Sequence, residues 1–205
     1  MAMEDRSTPD EILARLRSGD RIPQTDLARV AEMLADEHTQ ADTYTLIHIL
    51  GRSGDRRYES LIAQYLESAA DPMLARVAVI ALSQWLGLAA TYRDALIAFA
   101  RGVPWDSEDD VKQVALSSLG EYLRTVDDDE VVAVLLACAE NVRERDLLRE
   151  DAVRALARGF GTPHSDMPPA SQRDPLDSPW TSGVLVQARR AIGAQSSSPL
   201  VDPSV

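Results

Sequence analysis

Three histidines, one cysteine and a dense run of acids are the residues of this chain whose types could carry chemistry. His38, His48 and His164 lie on different stretches, and none forms the i, i+4 pair with a nearby acid that gathers metal ligands on one helix face. Cys138 stands among Leu135, Leu136, Ala137 and Ala139, a setting that predicts a small buried hydrophobe rather than a reactive thiol. As the single cysteine it has no intramolecular disulfide partner. There is no Gly-x-Ser-x-Gly elbow and no glycine loop of the kind that cradles phosphate. No catalytic residue, metal or cofactor is therefore assigned, and the chain is expected not to be an enzyme.

Charge is the uneven feature. Residues 103–130 hold nine acids (Asp106, Glu108, Asp109, Asp110, Glu121, Asp127, Asp128, Asp129 and Glu130) against Lys112 and Arg124, a net of −7 out of −12 for the chain. Acids at helix starts cap free N–H groups and complement the helix dipole, and charge runs are mostly solvated surface. The competing reading is a surface that steers a basic protein, with electrostatics raising the association rate more than the affinity. A calcium loop fits less well, because the run Asp127–Glu130 lacks the glycine and spaced ligands of an EF-hand. Trp105, between Pro104 and Asp106, is either an interface anchor or a side chain folded over adjacent helix ends. The candidate partner-binding set is thus Trp105, Asp106, Glu108, Asp109, Asp110, Asp127, Asp128, Asp129 and Glu130. Such a balance repels phosphate backbones, so nucleic acid is not the expected partner.

The elements that would position these residues are legible as repeats. Leu74–Leu86 (LARVAVIALSQWL), Val111–Leu123 (VKQVALSSLGEYL) and Leu148–Phe160 (LREDAVRALARGF) superimpose without gaps at a spacing of 37 residues. Their fifth positions are Ala78, Ala115 and Ala152, their eighth Ala81, Ser118 and Ala155, and their ninth Leu82, Leu119 and Leu156. A fourth copy, offset by 32, runs from Asp42 to Arg52. Spacings of three and four make each an amphipathic helix whose small residues admit a close neighbour. Partner helices are predicted over Tyr58–Ser68, Tyr92–Arg101 and Glu130–Glu140. Thr8-Pro9-Asp10-Glu11 is a capping box, and it opens the first of two further helices, Pro9–Ser18 and about Asp26–Glu37. No alternating run suggests a strand.

The pattern Val-Lys-x-x-Ala-x-x-Ser-Leu-Gly at Val111–Gly120 resembles the first helix of a HEAT repeat, and the resemblance covers roughly residues 42–160. It implies an all-α fold, a right-handed α-α superhelix of about four to five helix pairs. Residues 1–193 are expected as one domain, with 1–40 a capping pair, 42–160 the repeats, 161–179 a proline-rich loop and 180–193 a last helix. The tail 194–205 has a disordered composition. The function implied is a protein-binding module, and small acidic proteins of this kind resemble bacterial immunity proteins that neutralise a basic toxin. General scaffolds, bilin-lyase-like subunits and alkyl-DNA-glycosylase-like enzymes share the architecture. The iron-binding HEAT hydroxylases carry His-Glu dipeptides, whereas the histidines here precede Thr39, Ile49 and Ser165. The stretch from Met1 to Asp20 lacks the apolar core of a signal peptide and no window reaches the length of a membrane span, so cytoplasmic residence is expected.

Overall fold

The computed structural model describes residues 7–36, 38–169 and 176–195. Among these the chain is all-helical, without a strand: α1 Pro9–Arg17, α2 Gln24–Ala35, α3 Thr43–Arg52, α4 Glu59–Ala63, α5 Pro72–Ile80, α6 Arg93–Arg101, α7 Asp110–Tyr122, α8 Asp129–Glu140, α9 Asp146–Gly159 and α10 Pro179–Gln195. None of these helices is long and apolar enough to cross a membrane. The chain packs as two compact units, one of residues up to 93 together with 103–114, the other of 94–102 together with 115 onward.

In the first unit α1 begins at the expected capping box: Thr8 N–H donates to Glu11 Oε2 at 2.7 Å, and Glu11 N–H donates to Thr8 Oγ1 at 3.4 Å. Asp42 caps α3 by accepting from the amides of Tyr44 and Thr45. Six consecutive residues of α3, Leu46 to Gly51, are buried, so this helix is enclosed on all sides and forms the centre of the unit. Ile12 of α1, Val30 of α2, Ile62 of α4 and Val77 and Ala78 of α5 join it in one core. Each such Ile or Val contributes about 1.5–3 kcal/mol by leaving water.

Two departures from the expected helices have local causes. The stretch predicted as a helix over Tyr58–Ser68 is a 3₁₀ turn, Arg56–Tyr58, running into a short α4. Beyond Ala63 the amides of Tyr65 and Leu66 reach back only three residues, to Ile62 and Ala63, and the Tyr65 hydroxyl donates to the Leu34 carbonyl at 3.2 Å. That bond to α2 fixes the tighter path over the helical propensity of the sequence. The second departure follows α5, which passes into a π-helical turn, Ala81–Trp85, where Leu86 N–H donates to Ala81 C=O. A Cβ on Gly51 would stand 2.6 Å from both the Ala81 Cβ and the Trp85 ring, so glycine is what lets α3 and this turn meet.

In the second unit α8 and α9 pack together, and α10 lies against both. Leu119, Leu135, Ala152, Ala155, Leu156 and Ala188 are fully enclosed. Gly120 faces the backbone of Ala155 so closely that a Cβ would meet its Cα at 2.7 Å and its carbonyl oxygen at 2.8 Å. The described part of the proline-rich stretch is ordered against α9: a 3₁₀ turn spans His164–Asp166, Met167 is buried, and Arg154 Nη1 donates to the Pro168 carbonyl at 2.7 Å. The last helix extends over Pro179–Gln195 and so takes in residues 194 and 195, which were expected in the tail; the rest of that tail, 196–205, lies outside the described residues.

Candidate functional site

The second acidic run sits where α7 ends and α8 begins. Asp128 is the N-cap of α8: its Oδ1 accepts from Val131 N–H and its Oδ2 from the Tyr122 hydroxyl, both at 3.1 Å. Capping needs one carboxylate, and it is met there. Asp127 is exposed and Asp129 half-buried, and neither side chain takes a hydrogen bond or an ion pair among the described residues. Glu130 pairs with Arg101, Nη2 to Oε1 at 3.0 Å, with both groups largely in water.

Behind these acids lies a pocket of about 280 Å³. Leu123, Val132, Phe160 and Ala191 line it with apolar surface from the ends of α7, α8, α9 and α10, and Val126 is 38% exposed beside them. Asp127, Asp128 and Asp129 form its polar side. Adjacent carboxylates repel one another by about 1 kcal/mol per pair at 4 Å in water, and by more once water is excluded, so this rim favours a cation. A long cationic side chain matches both parts, its methylenes on the apolar surface and its charge among the carboxylates.

The other candidates lie in the first unit. Asp106 is 5% exposed, with Oδ2 accepting from the amides of Val111 at 3.0 Å and Lys112 at 2.9 Å, which caps α7. Asp109 adopts a left-handed backbone, φ 62°, and Asp110 opens the helix. Glu108 is exposed and Trp105 half-buried. The structure thus uses Asp106 and Asp128 to start helices, and brings Asp127 and Asp129 to an apolar pocket. Sequence reasoning missed that pocket because, although Leu123 and Phe160 end two copies of the repeat, Val132 and Ala191 join them only through the packing of four helices.

No protein-family model, curated protein or solved structure matches this chain.

Among the described residues no three His, Cys, Asp or Glu side chains gather as a metal site. Cys138 is buried, with its sulfur 3.8 Å from the Leu148 carbonyl oxygen. His48 is 8% exposed; its Nδ1 accepts from Arg52 Nε at 3.3 Å, and its ring lies against Tyr44 and Trp85 at centroid distances of 5.3 and 4.5 Å. Burial, then the charges of Arg52 and Arg17, hold its pKa down to about 4 from 6.5.

Two predictions arise from this geometry. As pH falls from 6.5 towards 4, the unfolded chain binds a proton that folded His48 refuses, so its contribution to stability is full above that window and declines through it. Denaturant midpoints at pH 7, 5.5 and 4.5 should therefore drop more steeply for the wild type than for His48→Gln; parallel profiles would contradict it. Asp128→Ala should lower stability by about 1–2 kcal/mol through the lost cap, whereas Asp127→Ala stays within about 0.5 kcal/mol. Equal losses in urea unfolding would show that the two carboxylates do not differ as described.

Proposed function

We propose that this chain is a non-enzymatic, cytoplasmic protein-binding module of HEAT-like helix pairs coiled as a right-handed superhelix, and that the α8 pocket takes a lysine or arginine from a basic partner protein. The observation that carries the binding reading is the apolar pocket edged by Asp127, Asp128 and Asp129, two of whose carboxylates have no partner of their own among the described residues. The repeat reading is supported by a shared register. Gly51 in the first unit approaches Ala81, and Gly120 in the second approaches Ala155. In the 37-residue alignment, with its 32-residue offset for the first copy, both glycines hold the tenth position of one repeat and both alanines the eighth of the next. Recurrence of one close contact at one pair of repeat positions is what a stack of similar helix pairs produces.

The most specific form of the proposal is an immunity protein that neutralises a basic toxin; a general scaffold would use the same pocket for a less dedicated client. Asp106 is outside the proposed surface, because a partner cannot reach a carboxylate that is enclosed and capping a helix. The test is a tagged pull-down from the source organism at low and high salt, with wild type beside Asp127→Asn/Asp129→Asn. The proposal expects a stoichiometric basic protein held at low salt, released at high salt and lost with the double variant. Capture that ignores both salt and substitution, or capture of a pigment or metabolite in its place, would refute it.

A further inference from the structure

The first unit holds a cleft of its own, of about 420 Å³, at the ends of α1 and α3 and the start of α2. Leu16, Ile22 and Leu27 give it apolar surface, and Arg21 and Arg52 also line it. Its volume lies in the range of small-molecule sites, about 300–1,000 Å³.

Arg52 is held from two sides. Its Nε donates to His48 Nδ1 at 3.3 Å, and its guanidinium carbon lies 4.7 Å from the centre of the Trp85 ring, which the π-helical turn carries onto α3. His48 in turn is fixed by burial and by its contact with Trp85. These contacts occupy Nε and one face of the group, and no carboxylate pairs with it among the described residues. The two Nη groups therefore remain as a fork whose orientation is already set, the geometry that accepts a carboxylate or phosphate through two parallel hydrogen bonds. Arg17 and Arg21 likewise make no ion pair among the described residues, and the charge of Arg17 reaches His48. Of the acids in the lining, Asp55 is taken by Arg57, whose Nη2 stands 2.6 Å from its Oδ2 and holds its carboxyl below the usual range, and Asp20 is exposed. In a chain of net charge −12 this is a local concentration of unneutralised arginine.

We propose that this cleft binds a small organic anion, a carboxylate or phosphate ester carrying a short apolar group. The anion sits on the Nη fork of Arg52 and the apolar part against Leu16, Ile22 and Leu27. An arginine already stacked and hydrogen-bonded loses little rotamer freedom on binding, which is why such a site selects for the fork rather than for charge alone.

The test is calorimetric titration of the full chain with phenyl phosphate, benzoate and hexanoate, with benzyl alcohol as the neutral control. One or more of the anions should saturate a single site while benzyl alcohol does not; tighter phenyl phosphate would mark a phosphate ligand, tighter benzoate or hexanoate a carboxylate. Arg52→Gln should weaken binding about tenfold or more, and Arg52→Lys should recover only part, since it restores charge without the fork. Circular dichroism checks the fold of each variant. Should Arg52→Gln not fold, the exposed Arg21→Gln and the nitrogen chemical shifts of His48 in the wild type read the same site: a weaker anion affinity and a saturable shift are expected. The inference is overturned if no anion saturates, if benzyl alcohol binds as well, or if Arg52→Gln binds as tightly as wild type.

Discussion

Replacing Gly120 by alanine should destabilise the protein by about 2 kcal/mol, although alanine is the better helix former. The added Cβ would stand 2.7 Å from the Ala155 Cα and 2.8 Å from its carbonyl oxygen, distances at which backbone, not a flexible side-chain end, must move. Moving α7 away from Ala155 at this point loosens the packing around it, and overpacking of this kind commonly costs about 1–3 kcal/mol, at its upper end when the backbone has to move. The gain from removing a helical glycine is about 1 kcal/mol and is already outweighed. Gly183 of α10 provides the opposite case: nothing lies within 4 Å of its Cβ position, so Gly183→Ala should stabilise by about 0.5–1 kcal/mol. Urea unfolding of the two variants gives the comparison. Equal shifts in one direction would mean that Gly120 does not stand as close to the Ala155 backbone as described.

Charge reversal at the α8 pocket should have the largest effect on binding. Asp127→Arg/Asp129→Arg replaces two unpaired carboxylates with two cations beside the same apolar surface. With a basic partner, attraction becomes repulsion during approach as well as in the complex, so the association rate at low salt should fall by about 10–100-fold. The wild-type rate should decline steeply with added salt, and the variant should lose that decline. Stability should fall by about 0.5–1 kcal/mol, because the Asp129 charge stands in the first turn of α8 and complements its dipole, while the cap itself, Asp128, is untouched. Stopped-flow or surface-based kinetics at two ionic strengths measures both effects. An unchanged rate constant would remove the electrostatic part of the proposed function.

Much of the local architecture was legible because it is written at fixed spacings. The box at Thr8–Glu11 and the periodic helices α3, α5, α7 and α9 depend on residues within a turn or two of one another. The small residues at the eighth repeat position announced close helix approach, and Ala81 and Ala155 make it. What was not legible depends on residues remote in sequence. The helix expected to Ser68 ends at Ala63, in a chain path tied by Tyr65 to Leu34. The π-helical turn that delivers Trp85 to His48 and Arg52 leaves no mark in the apolar pattern, since a single inserted residue of helix looks like ordinary helix in one dimension.

The candidate sites divide in the same way. Acid clusters can be counted, but whether an acid caps a helix or faces a partner depends on where its carboxylate lands. Asp106 bonds amides five and six residues on and is buried; Asp127, similar in sequence setting, stays exposed beside Val126 and Phe160. The pair His48 and Arg52 shared a helix face at i, i+4, yet the significance of that face rests on Trp85, more than thirty residues away.

The most direct test of the proposed function is amide hydrogen exchange of the full chain, free and bound to the basic protein that it retains at low salt. If the partner places a cation in the α8 pocket, protection should rise at residues 123–132 and 159–160 and should vanish with Asp127→Asn/Asp129→Asn. A complex that leaves those amides unchanged, or a chain that retains no basic protein at all, would contradict it.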